Sequence, residues 1–374
     1  EVPGFRFPLG IDDNREGTVD SPFWIGSTEV TYRLWEEVRG WATAEERGEE
    51  RYSFDTPGRA GGSWPEPTTT GADHPATELS WASAVVWANA LTEFYNSENG
   101  SQLRPVYYGD RARREPLRDA RILVGQADSP PLYLDGEAGG FRLLSEEEWE
   151  SAARYRGADS GEGAIEFPKG SDHWWTPGNN ASGAAGSVDD RTATLAVAVV
   201  EEPPGSTSPV AGKRPNTLGL YDMSGNIAEW VLRRPEEGTL TPVRRGGSWY
   251  STLSELRVSA LDPLTAAPGI MGFSGGLRIG RGGIDGALEP PEVTQRVVPP
   301  RAALTLEEET ALPAPPEADR EALAPPTGPV AEEAIAEITP SPEAGPGSVE
   351  ATIADIPLVY VPAATFPSGL EDLD

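Results

Sequence analysis

The chain contains no cysteine, only two histidines and two methionines, and, in 374 residues, two lysines. The missing cysteines exclude disulfides, thiolate metal sites and thiol chemistry together. His74 and His173 are too few for a three-histidine metal centre. Lys169 and Lys213 leave arginine to carry almost all the positive charge, and 60 acidic against 30 basic side chains give a formal charge of −30. That balance excludes nucleic acid as a general partner, since phosphate contacts need clustered Lys and Arg. It suits a self-repelling surface, or one that meets cations. No apolar run reaches the ~18 residues of a membrane span, so no transmembrane helix is expected. No signal-peptide pattern is present either, and a first residue Glu1 in place of Met fits a processed or excerpted product.

What is present divides the chain in three. Residues 1–282 are rich in Trp, Gly and turn residues. Residues 283–350 are dense in Pro, Ala and Glu, as in Pro313-Ala314-Pro315-Pro316, the composition of a linker or stalk. Residues 351–374 hold a strand pattern, Ile356 to Val361, followed by Pro362 and Phe366. Val361-Pro362, Phe366 and Gly369 echo Val2-Pro3, Phe7 and Gly10, a weak internal repeat. This last segment reads as the start of a second domain or as a strand that docks on a sheet edge.

Three helices are expected in the first part. Thr31 caps one over Tyr32 to Arg39, and Ser80 caps one over Trp81 to Tyr95 with Trp81, Ala84, Val85, Ala88 and Leu91 at helical spacing. Ser145 and Glu148 form a capping box ahead of a third, over Glu146 to about Tyr155. The remainder reads as short strands and long Gly/Pro loops, an α+β pattern. The stretch 96–140, with Tyr107-Tyr108 and the basic run Arg111 to Arg114, reads as an inserted loop that is solvated or docks an acidic surface.

Five segments then fall into a familiar order. They are Phe23 to Thr31 with its Glu29-Val30-Thr31; His74-Pro75 to Ser80-Trp81; Phe141-Arg142-Leu143 to Arg154; Pro215-Asn216 to Gly225-Asn226 with Glu229-Trp230; and Arg245-Gly246-Gly247-Ser248-Trp249. Gly276-Leu277-Arg278-Ile279 closes the series. This pattern resembles the formylglycine-generating enzyme, or sulfatase-modifying factor, family. The resemblance implies a C-type-lectin-like fold, with a small twisted sheet, flanking helices and extensive loops. Arg278 and Arg154 are expected to hold loops through Glu29, Glu148 or Glu229.

Catalytic relatives carry two copper-binding cysteines after the Gly-Gly-Ser-Trp. Here Ser251 and Leu256 stand in their places, so the resemblance implies a member without that oxidase chemistry. A serine nucleophile at Ser251 would need a base, and no triad pattern supplies one. Family resemblance also points to loop Ca²⁺, with Asp222, Asn226 and Asn180 as oxygen donors. Three non-enzymatic readings remain. The first is a structural or binding protein at the cell surface or outside the cell, which meets a protein partner or copies of itself head to tail through Leu358, Val359, Tyr360, Val361 and Phe366. The second is a display protein of the retroelement-variable type, binding through Trp249, Tyr250, Ser251, Thr252 and Ser254. The third is an accessory factor of the cell envelope, related to gliding-motility proteins.

Overall fold

The computed structural model describes residues 5–64, 71–110, 112–124, 132–200, 205–233, 241–262, 268–270 and 272–282, with strands 351–353 and 356–361. Phe366, the Pro-rich stretch, and residues 263–267 and 271 lie outside the described residues. In chain order, the elements that position the site are β1 (Phe5–Leu9), β2 (Arg15–Val19), β3 (Phe23–Gly26), α1 (Tyr32–Thr43) and α2 (Trp81–Asn99). They continue with β4 (Phe141–Leu143), α3 (Glu146–Arg154), β5 (Ala228–Arg233), β6 (Thr241–Arg245), β7 (Gly275–Gly276), β8 (Ile279–Arg281), β9 (Ala351–Ile353) and β10 (Ile356–Val361).

Each helix starts where its cap residue dictates. Thr31 Oγ1 accepts from Leu34 N, and Ser80 Oγ accepts from Ser83 N at 2.9 Å, each satisfying a first-turn donor that the helix itself cannot. At α3 the capping is reciprocal: Ser145 Oγ accepts from Glu148 N at 3.1 Å, and Glu148 Oε2 accepts from Ser145 N at 2.8 Å. Helices α1 and α2 run one turn beyond the expected ends. In α2, every residue from Trp81 to Phe94 is buried, so neighbours surround this helix and no single stripe marks its buried face. It stops at Gly100, whose left-handed φ of 63° a glycine adopts without steric cost.

The central sheet has the order β9-β10-β3-β8-β4. Strand β8 lies antiparallel between β3, with Gly280 opposite Ile25, and β4, with Gly280 opposite Arg142. On the other side of β3, β10 pairs antiparallel from Leu358 opposite Gly26 to Val361 opposite Phe23. A second sheet runs β6-β5-β7, and β1 pairs with β2 as a hairpin. Alternation along the strands sends Phe141, Leu143, Ile279 and Leu358 into the core built by α1 and α2. Phe23, Ile25, Val359 and Val361 enter the opposite core with Trp149 of α3, Trp175 and Phe7.

Part of the 96–140 stretch is packed into the core, while Arg114 of its basic run is exposed. Tyr107 and Tyr108 are buried in a strand paired with Tyr133–Leu134, and Leu143 N donates to the Tyr107 hydroxyl at 2.8 Å. Arg113 of the basic run is buried beside Asp135 and donates to Leu134 O at 3.2 Å, so it is no solvated docking group. The reason is a carboxylate contributed from 22 residues downstream, which local charge counting does not foresee.

Arg142 is fully buried and makes a two-pronged pair with Glu148, both contacts at 2.7 Å. Glu148 therefore serves the α3 cap and a buried cation at once. Glu148→Ala is expected to cost about 3–5 kcal/mol in urea unfolding, because it strands the guanidinium in the interior. Glu148→Gln, which keeps a capping acceptor but not the charge, should cost distinctly less; equal losses would show that the cap adds nothing beyond the lost carboxylate charge.

Candidate functional site

The loops that follow β6 form the site. Gly246 and Gly247 both hold positive φ, 90° and 66°. A Cβ on Gly247 would stand 2.7 Å from Glu255 O, and one on Gly246 would stand 3.2 Å from the Trp149 ring. Both backbone conformation and space thus require glycine, and the chain reverses sharply enough to bury Trp249 beneath the loop. Trp249 N donates to Asn226 O at 3.0 Å, which fixes the loop on the segment before β5.

Ser251 and Leu256 take different fates. Ser251 Oγ accepts from Ser248 N at 3.0 Å, and no histidine reaches it: His74 contacts Thr207 Oγ1 through Nδ1, and His173 contacts Ser171 O. Leu256 is fully buried among Ala181, Ala184, Val188, Val197 and Ala198. The position that the sequence resemblance matches to a thiol of catalytic relatives is therefore a piece of apolar core here. Thr252 and Ser254 are spent on their own turn: Glu255 Oε2 accepts from Thr252 N at 2.7 Å and from Thr252 Oγ1 at 2.8 Å, and the Thr252 and Ser254 hydroxyls lie 2.9 Å apart.

Above this turn sits an aromatic face. Trp249, Tyr250 and Phe273 contact one another with ring centroids 5.4–5.8 Å apart at steep angles. Trp249 is buried, whereas Tyr250 is 45% and Phe273 36% exposed. Ile270, in the same loop as Phe273, is 48% exposed. Among the described residues only Ile11 and Ile122 are comparably exposed large apolar side chains. Phe273 was not singled out as a binding residue from the sequence; nothing local distinguishes an exposed Phe from a core one. Gly62 lies under the face, where a Cβ would stand 2.3 Å from Phe273 O and 3.3 Å from Trp249 Nε1. Thr207 Oγ1 accepts from Gly62 N at 3.1 Å and lies 2.9 Å from His74 Nδ1, so His74 is a support of the face rather than a base. Burial depresses its pKa, which favours the neutral ring.

Beneath lies a buried charge cluster. Arg278 donates to Glu229 through Nε and Nη2, to Gly26 O at 2.8 Å and to Tyr221 O at 2.6 Å. Trp149 Nε1 donates to Glu229 at 2.6 Å. Glu29 accepts from Asn226 Nδ2 at 2.6 Å and from Ile227 N at 3.0 Å. Arg278 thus takes Glu229, one of the three acids expected for it. Arg154 does not: it pairs with Glu150 and Asp13, because α3 sets Glu150 one turn before it, while Glu148 is taken by Arg142.

The residues expected to bind Ca²⁺ fit that role poorly. Asn226 spends its amide on Glu29 and on Ser208 N, and one Asp222 oxygen accepts from Ala211 N. The backbone carbonyl of Asn180 accepts from Val258 N at 2.9 Å. Asp222 Oδ1 is buried and without a partner among the described residues, as is Asn179 Oδ1, whereas Ca²⁺ takes about six to eight oxygens. Among those residues no three His, Cys, Asp or Glu side chains are grouped to hold a metal.

Residues 2–279 match the model of the sulfatase-modifying factor enzyme 1-like domain. The chain belongs to that family, and its α+β fold is the formylglycine-generating-enzyme type. It is similar to the chaperone protein LppX of Paenibacillus barcinonensis, 26% identical over 248 residues, which is 64% of this chain and 73% of that protein. Among solved structures it resembles CarF, at 26% identity over 76% of this chain and 96% of that one, with a TM-score of 0.51. It also resembles Treponema denticola variable protein 1, at 26% identity over 75% and 93%, with a TM-score of 0.50. No helix among the described residues of this family member is long and apolar enough to cross a membrane.

Desolvation, reinforced by Asp222 and Glu229, pushes the Glu29 carboxyl well above its ordinary range, with Arg278 opposing. The folded chain therefore keeps a proton there that the unfolded chain has released above the usual carboxylate pKa, so stability drawn from this site falls as pH rises. Glu29→Gln, which mimics the protonated acid, should gain stability relative to the parent as pH rises above the ordinary carboxylate range. Urea unfolding across and above that range checks it; a constant difference would mean that Glu29 is ionised in the fold.

Proposed function

We propose that this chain is a non-enzymatic binding protein of the cell surface or extracellular space, and that it holds a protein partner on the Tyr250–Phe273 face. One observation carries the reading. At the place where catalytic relatives, by sequence resemblance, hold their thiols, this chain has a hydrogen-bonded serine and a core leucine, beside a semi-exposed aromatic cluster. A buried Trp supporting exposed Tyr and Phe, with hydroxyl groups at the margin, has the anatomy of a protein-binding hot spot. The rings lose little conformational entropy on binding, because packing already holds them. A surface location accords with the charge of −30 and with a Pro-rich tract of stalk-like composition. The likeness to a protein named as a chaperone and to one named as a variable protein supports binding rather than turnover.

Tyr250→Ala with Phe273→Ala should abolish capture of a protein partner that the parent chain retains from cell-surface extracts, with the thermal midpoint little changed. Retained capture would move the binding face elsewhere. Oxidation of a cysteine-containing sulfatase peptide, supplied with copper and oxygen, should stay at background; turnover would overturn the non-enzymatic reading.

A further inference from the structure

The partner strand of β3 comes from the far end of the chain. Strand β10 fills the edge of β3 with four register pairs and sends Leu358 into one core and Val359 and Val361 into the other. It is thus an inner strand by burial, yet residues 282–355 separate it from β8, the other neighbour of β3.

The register explains why it fits. Along β3, Leu358 faces Gly26 and Val361 faces Phe23. Along β2, in the same antiparallel sense, Phe5 faces Val19 and Leu9 faces Arg15. Because β2 and β3 are consecutive, β10 and β1 pair one after the other along the single run from Arg15 to Gly26. The sequence shows the same relation. Val361-Pro362, Phe366-Pro367 and Gly369 repeat Val2-Pro3, Phe7-Pro8 and Gly10 at identical spacing. On that alignment Val361 corresponds to Val2. Continued in register, Val361 opposite Phe23 and Phe5 opposite Val19 agree to within one residue, which a single bulge accommodates. Strand β10 therefore occupies the place of a strand leading directly into β1.

We propose that the β3 edge is an exchangeable acceptor, and that segment 356–361 of a second copy of this chain fills it, linking copies head to tail. Apart from β9, which pairs with its outer edge and travels with it, β10 is held by contacts local to the strand: main-chain pairing with β3 and three apolar side chains in the two cores. A second copy offers the same contacts. The long connection adds only an effective concentration, on the order of millimolar for a flexible tether, so crowding copies together favours exchange. Donor and acceptor are different surfaces, which makes the contact heterologous, able to propagate as well as to close. This surface is separate from the aromatic face, so each reading can fail alone.

The absence of native cysteine makes the test clean. Trp24 and Tyr360 face each other in the register. Full-length Trp24→Cys and Tyr360→Cys chains, mixed at roughly millimolar concentration and oxidised, should form dimers whose peptide map shows a 24–360 link. A Trp24→Cys and Ser254→Cys mixture should not. A double-cysteine chain that closes only on itself, with no mixed dimer, would fix the strand within one chain and overturn the proposal, as would failure of both to crosslink. Independently of cysteine, native mass spectrometry of mixed ¹⁵N-labelled and unlabelled parent chains should show mixed-isotope oligomers, lost in Leu358→Asp. Monomers alone at that concentration would sink the idea.

Discussion

Arg278 is the constraint on which the domain depends. A guanidinium cannot shed its charge at any pH a protein meets, so burying it demands acceptors on every side. It finds them on Glu229 of β5, on Gly26 at the end of β3 and on Tyr221 in the loop before β5. One side chain thus fixes the two sheets relative to each other. Trp149 of α3 and Asn226 join the same cluster through Glu229 and Glu29, and Asn226 O is the acceptor on which Trp249 hangs. The aromatic face is therefore anchored, through two hydrogen bonds, to a buried charge cluster.

This cluster holds more negative charge than positive, since Glu29, Glu229 and Asp222 surround one arginine. The excess favours protonation: burial and mutual repulsion raise the pKa of Glu29 well above its ordinary value, and that of Asp222 in the same direction. The first α3 turn is handled oppositely. Glu146 lies between Arg233 and Arg245, whose charges hold its carboxyl below the ordinary range despite partial burial. Two acidic clusters in one domain thus respond to pH with opposite sign.

The helix starts, the capping box and the family were legible because each is written within a few residues. A cap satisfies donors two or three positions away, and the Gly-Gly-Ser-Trp turn is dictated by backbone sterics at two glycines. The loss of both thiols was equally plain. Less legible was the 96–140 stretch, read as a loop because its tyrosines and arginines look solvent-loving in isolation. Asp135 and the wall of α2 turn them inward.

What the sequence determined by itself is the set of local commitments: where helices begin, which turns need glycine, and that no thiol can act. Only the tertiary structure decided which acid each arginine takes, that Phe273 stands beside Tyr250, and that a strand from residues 356–361 completes the edge of β3. The physical reason is separation along the chain. Arg278 reaches across 252 residues to Gly26, and no periodicity or cap encodes a contact made only once both sheets have closed on it.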